Sequence, residues 1–123
     1  MQKGTFALHS PYVASKLHVM KVLAVDPGYG RCGVAVLEKI NGKETLLYSE
    51  CIETSAGTPF GERLATVADR CAQLLKKHSP SALAMEKLFF NSNQKTALQV
   101  AEVRGAIIHV AEQARVPVFE YTP

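Results

Sequence analysis

Two acidic residues sit where chemistry needs them. Asp26 closes the apolar run "KVLAVD" (21–26), and Glu86 stands near the end of "SALAMEK" (81–87). If the two runs are parallel neighbouring strands, both carboxylates emerge at the carboxyl edge of one sheet, where open α/β sheets keep their sites. Two acids held close repel one another unless a cation compensates. A hard divalent ion does so, and Mg²⁺ takes one or two protein carboxylates together with water and phosphate oxygens. Two such ions about 4 Å apart activate a water and stabilise the leaving oxygen of an in-line phosphoryl displacement. Each acid alone has a plainer account. D-P-G is a common turn, and an acid at a strand end is often a solvated edge residue. The pair, each preceded by an apolar strand, is what points to catalysis.

The residues after Asp26 offer a competing reading. Gly28, Gly30 and Gly33 spell G-x-G-x-x-G. A dinucleotide fingerprint needs that pattern between a strand and a helix, because the pyrophosphate rests on the helix N-terminus. Here the glycines run into "GVAVLEKI" (33–40) and then Asn41-Gly42, too soon for a crossover helix. The pattern is hairpin chemistry. No G-K-[ST] phosphate loop and no G-x-S-x-G elbow occurs.

The elements that must position the acids follow from periodicity. The first strand is apolar enough for burial on both faces. Asn-Gly, a strong hairpin signal, joins the second strand (33–40) to "ETLLYSECIE" (44–53). A helix over about 59–78 carries the stripe Phe60, Leu64, Val67, Ala68, Cys71, Leu74 and Leu75. Pro59 suits its first turn, with Thr58 as cap. Lys76, Lys77 and His78 suit its last turn, and Ser79-Pro80 ends it. The strand 81–87, a loop, a helix over about 94–115 and the strand "VPVFEY" (116–121) complete the order β-β-β-α-β-α-β. The second helix is apolar around most of its circumference, more than one sheet face uses. The fold class is α/β: a mixed five-stranded sheet with an antiparallel meander followed by α-β-α-β. Residues 1–19 show neither period and no signal-peptide core; they form an N-terminal extension, poorly ordered, ahead of a single domain over 20–123.

Composition is that of a globular chain: 47% apolar, 20% charged, with a net charge of +3 that permits a polyanionic partner without demanding one. No run approaches the ~20 apolar residues of a membrane span. Cys32, Cys51 and Cys71 are odd in number and lack C-x-x-C spacing, which disfavours zinc and a disulfide framework and suits a reducing cytoplasm. His9, His18, His78 and His109 are scattered, without metal-ligand spacing.

"VLAVDPGYGRCGVAVLE", "ALAMEKLFFNSN", "ALQVAEVRGA" and "VPVFEYTP" resemble, in order and spacing, the RuvC-type Holliday-junction resolvases of the ribonuclease H-like fold. The likeness covers residues 20–123. The more specific marks are Glu86 and Phe89 in E-x-x-F, Asn93 and Thr96 before the second helix, Arg104-Gly105 within it, and the closing F-E-Y. The resemblance implies a homodimeric, Mg²⁺-dependent endonuclease (Mn²⁺ being a plausible substitute) that nicks two strands of a four-way DNA junction symmetrically in recombination and repair. Asp26 and Glu86 match the family's first two catalytic, metal-binding carboxylates. Phe89 matches an aromatic that contacts DNA near the junction centre; without the resemblance, Phe89 and Phe90 read more readily as core residues, and Phe90 is left unassigned. Asn93, Lys95 and Arg31 join Phe89 in the candidate DNA-binding set, with Arg31 touching phosphate or facing solvent. The 94–115 helix would form the dimer interface, and the branch-migration proteins RuvA and RuvB would be partners.

Two departures stand out. "GRCG" replaces the family's usual threonine-glycine after the turn and leaves Cys32 unassigned. The family's further helical segment, with its last metal ligands, is expected beyond Pro123, and Glu120 is not made a ligand by the motif. A two-ligand site predicts weak Mg²⁺ binding and poor cleavage or none. The competing functions are a YqgF-like nuclease on ribosomal RNA precursors, an actin-like or sugar-kinase ATPase domain, and an inactive junction-binding or dimerisation module.

Overall fold

The computed structural model describes residues 2–3, 19–88 and 93–122. Its elements are β1 (Gln2–Lys3), β2 (Val19–Asp26), β3 (Arg31–Ile40), β4 (Lys43–Glu53), α1 (Phe60–His78), β5 (Ala82–Glu86), α2 (Gln94–Gln113) and β6 (Val118–Tyr121). The strands form one sheet in the order β1-β6-β5-β2-β3-β4. β2, β3 and β4 are the antiparallel meander, while β2–β5, β5–β6 and β1–β6 pair in parallel. The five strands expected from the sequence are all present. The sixth, Gln2–Lys3, falls inside the stretch read as an N-terminal extension and lines up beside Phe119 and Glu120. Residues 4–18 lie outside the described residues.

Local chemistry explains most boundaries. Asn41 and Gly42 both take positive φ (49° and 84°), as the tight primed hairpin turn requires. α1 begins one residue later than expected. Pro59 is its N-cap rather than its first helical residue, with ψ at 143° and no side-chain cap bond. The Pro59 carbonyl instead accepts from the N–H groups of Glu62 (3.0 Å) and Arg63 (3.1 Å), while the Thr58 N–H turns back to the Ser55 carbonyl. α1 ends where Ser79 turns left-handed and donates its N–H to the Leu75 carbonyl. α2 stops short of 115 because Arg115 adopts φ 58° and Val116 N–H closes on the Ala111 carbonyl at 2.9 Å.

Both helices lie side by side on one face of the sheet. The core forms between them and the alternate residues Leu23 and Val25 of β2, Cys32, Val34 and Val36 of β3, Leu83 and Met85 of β5, and Val118 of β6. From the helices come Val67, Cys71 and Leu74 of α1 with Val103, Ile107 and Ala111 of α2. Each branched aliphatic buried there contributes about 1.5–3 kcal/mol. The expectation that the first strand is buried on both faces is corrected. Leu23 and Val25 are sealed, but Val22 and Ala24 are only half-buried, because no described helix covers the second face. That face carries a shallow cavity of about 410 Å³, lined by Val22, Ala24, Leu37, Ala84 and Tyr121.

Candidate active site at the strand ends

The pleat decides which way the acids point. Val25 and Met85 face the helices, and they are register partners in the parallel pair β2–β5. Asp26 and Glu86 are the next residues along, so both fall on the open face at adjacent positions, with strand axes about 4.8 Å apart. Gly33 is the partner of Asp26 on one side, and Tyr121 is the partner of Glu86 on the other. The open edge therefore reads Gly33, Asp26, Glu86, Tyr121 across four strands. Asp26 is exposed and Glu86 half-buried.

Separate groups hold each acid's strand end. Past Asp26, the loop folds back so tightly that a Cβ on Gly28 would overlap the Arg31 carbonyl oxygen. Thr54 clasps this loop twice: its N–H donates to the Gly30 carbonyl (3.0 Å) and its hydroxyl to the Tyr29 carbonyl. Arg63 of α1 donates from Nε to Thr54 Oγ1 (2.8 Å), and its guanidinium lies 5.0 Å from the centre of the Tyr29 ring. Tyr29 in turn meets the Phe60 ring edge-on at 5.4 Å. The glycines thus shape a loop leading into a strand, as the hairpin reading requires. Beyond Glu86, the Lys87 N–H donates to the Tyr121 carbonyl at 2.8 Å. Arg104 of α2 donates from Nη1 to the Glu86 carbonyl, and its Nη2 lies 3.4 Å from Glu120 Oε2.

Tyr121 belongs to this site, and reasoning on the sequence missed its role. Burial, then the nearby charges of Glu86 and Asp26, push its phenol above the usual range. The signal lay in the parity of "VFEY": once Val118 faces the core, Tyr121 faces the acids and Glu120 faces the helices. Glu120 is thereby turned away from the carboxylate pair.

The candidate DNA-binding residues fall into different situations. Arg31, its side chain 83% exposed, makes only a 3.9 Å ion pair with Glu53, of the solvated kind that contributes little. Asn93 caps α2, its side chain accepting from the Thr96 N–H at 3.1 Å. Lys95 is exposed in the first turn of α2. The chain leaves β5 and enters α2 at the edge that carries Asp26 and Glu86, so Asn93 and Lys95 lie toward that edge. Phe89 and Phe90 lie outside the described residues. Cys32 is buried against Cys71, whose thiol is pushed up by its hydrogen bond with Cys32 and by burial. Cys32 therefore packs the core beneath the loop.

Two carboxylates side by side at a solvent-open edge suit a hard, oxygen-seeking divalent cation. Among the described residues no third His, Cys, Asp or Glu joins them in a cluster.

Sheet order, helix placement and the acidic strand ends define a member of the ribonuclease H-like fold class. A T. thermophilus RuvC, solved in complex with a Holliday junction substrate, superposes with a TM-score of 0.79 at 34% identity, over 85% of this chain and 64% of that one. The yeast mitochondrial Holliday junction resolvase Ydc2 shares the fold at a TM-score of 0.63 and 14% identity, over 85% of this chain and 53% of its own. Residues 22–123 match the family described as crossover junction endodeoxyribonuclease RuvC, and the chain belongs to that family. RuvC of Pelotomaculum thermopropionicum is 38% identical over 104 residues, and RuvC of Thermosipho melanesiensis is 40% identical. Both alignments take in 85% of this chain; it spans 63% and 66% of the two relatives' lengths.

Proposed function

We propose that this chain carries a metal-holding carboxylate pair, Asp26 and Glu86, of a Mg²⁺-dependent endonuclease that resolves four-way DNA junctions by paired nicks. The observation that carries the reading is the adjacency of Asp26 and Glu86 on the open face, at neighbouring positions of parallel strands. Mg²⁺ held there, or Mn²⁺, which accepts similar oxygen donors, would draw in phosphodiester oxygens and acidify a bound water. Asp26, the more exposed acid, offers its oxygens to ion and solvent together. Glu86 is half-buried, with Tyr121 as its register partner on β6. Among the described residues no helix covers this face, which leaves Asp26 exposed to a nucleic-acid backbone.

Arg31, Asn93 and Lys95, with the +3 net charge, supply the phosphate-facing side of the proposal. Phe89 is proposed to stack on bases unpaired at the junction centre. α2 leaves Leu98 57% exposed, in keeping with a homodimer through this helix. RuvA and RuvB are the proposed branch-migration partners, with a cytoplasmic site of action. Residues 1–123 by themselves are proposed to bind Mg²⁺ weakly and to cleave poorly or not at all.

The test is binding and cleavage of a synthetic four-way junction against a linear duplex of the same sequence, with Mg²⁺, Mn²⁺ or chelator. Preference for the junction, a steep loss of affinity with salt, and weaker metal binding in Asp26→Asn and Glu86→Gln are expected. Equal affinity for both DNAs, with metal binding indifferent to both substitutions, rejects the reading.

A further inference from the structure

Arg104 is the one charged residue in the buried set of the described residues. It projects from the apolar side of α2, next to Val103 and one turn from Ile107, where an aliphatic side chain would serve the packing. Its guanidinium bonds the Glu86 carbonyl with one arm and faces the Glu120 carboxylate at 3.4 Å with the other; both side chains of the ion pair are 8% exposed. A buried ion pair is often no more stabilising than apolar residues of the same volume. Packing therefore gives no reason for a charge at this point. Its placement does. Glu120 is the register partner of Met85, and Tyr121 of Glu86, so the guanidinium sits beneath the last rung joining β5 to β6. The Lys87–Tyr121 hydrogen bond closes the same rung. A planar fork can engage two acceptors in fixed directions, which an ammonium cannot.

We propose that Arg104 is a positioning residue: anchored by Glu120, it clamps the carboxyl end of β5 from the helix side, so that the Glu86 carboxylate stays in line with Asp26 on the open side. The proposal rests on the reading of Asp26 and Glu86 as the metal-holding pair. Arg104 touches neither ion nor DNA; it acts through the Glu86 main chain.

The experiment separates positioning from stability. Arg104→Met/Glu120→Met removes both charges and keeps the volume filled, whereas Arg104→Lys keeps the charge opposite Glu120 but loses the fork. Each variant of the full chain is measured for melting temperature, for amide exchange at Lys87 against Leu83, and for Mn²⁺ affinity by calorimetry. Leu83 is the internal reference because its N–H bonds the Pro117 carbonyl at 2.9 Å, at the far end of the same strand. The double variant should melt close to the parent. Its Lys87 exchange should rise about tenfold relative to Leu83, as expected for local opening of a strand end. Its Mn²⁺ affinity should fall about tenfold, the size of effect seen when groups supporting a metal ligand are removed. Arg104→Lys should move both readouts the same way. Parental exchange at Lys87 and parental Mn²⁺ affinity, at parental melting temperature, would overturn the proposal. If the double variant melts far lower, the same two readouts in Arg104→Lys decide it. If the parent binds no Mn²⁺, the metal reading of the acids fails, and Lys87 exchange still decides whether Arg104 holds the strand end.

Discussion

Asp26 is mounted on a loop and Glu86 on a buried ion pair. The loop after Asp26 is held by a glycine that permits close backbone approach, by two hydrogen bonds from Thr54, and by Arg63 lying partly in solvent. The strand end at Glu86 is held from inside the protein, by Arg104 against Glu120. Each helix contributes one arginine, α1 to the first mount and α2 to the second. A loop held by several modest bonds at the surface weakens gradually as they are removed. A charge pair sealed in the core fails abruptly, because the charge left behind has no opposite charge to compensate its burial.

That contrast can be broken at four places, in falling order of effect. Glu120→Ala strands Arg104 as an unpaired buried charge and should cost about 3–5 kcal/mol in a urea unfolding curve. A loss under about 1 kcal/mol would mean the guanidinium finds water or another acceptor, and the second mount would resemble the first. Gly28→Ala forces a methyl against the Arg31 carbonyl and should cost about 1–3 kcal/mol by the same measurement. Thr54→Val keeps the shape but leaves the Tyr29 carbonyl and Arg63 Nε without their partner; about 1–2 kcal/mol is expected. Asp26→Asn should leave stability within about 0.5 kcal/mol of the parent, since the side chain is exposed and no mount uses it. Its effect belongs in a Mg²⁺ titration, where affinity should drop. A stability loss as large as that of Gly28→Ala would show that the acid itself helps hold the loop.

A pH experiment supplies a control outside both mounts. Glu50 of β4 accepts from Arg70 Nε at 2.7 Å and from the Tyr48 hydroxyl at 3.0 Å. The Arg70 bond, then that from Tyr48, hold its carboxyl below the ordinary range. A lowered folded value means the contribution is present above the unfolded value, near 4.3, and is lost as pH falls through the folded one. Thermal melts between about pH 6 and 3 should therefore show a smaller acid loss in Glu50→Gln than in the parent. An identical profile would remove Glu50 as a source of acid sensitivity.

The pattern of legibility follows the range of each interaction. The Asn41-Gly42 hairpin, the stripe of α1 and the strand end at Asp26 were readable because each rests on residues within a few positions of one another. Pro59 was misplaced by one residue because a proline satisfies both the cap and the first helical position, and hydrogen bonds to its carbonyl decide between them. Burial of β2 on both faces was overestimated because an apolar run looks the same whether or not a second layer covers it. Tyr121 was legible only through the parity of "VFEY" once Val118 is known to face the core, and the Arg104–Glu120 pair left no local trace. Arg104 looked like a residue of a family motif, and Glu120 like an unassigned acid near the last strand.

By itself, the sequence determined that an acid would close each of two apolar strands, that the glycines after Asp26 would make a hairpin rather than a nucleotide loop, and that two helices would cross over the sheet. These follow from backbone geometry, which repeats every two or 3.6 residues and needs no distant partner. Only the tertiary structure decided that Val25 pairs with Met85, and hence that Asp26 and Glu86 are neighbours on the open face with Tyr121 beside them. Shifting that register by one residue would send one acid into the core, and what prevents it is the packing of α1 and α2 against alternate residues sixty positions apart in the chain.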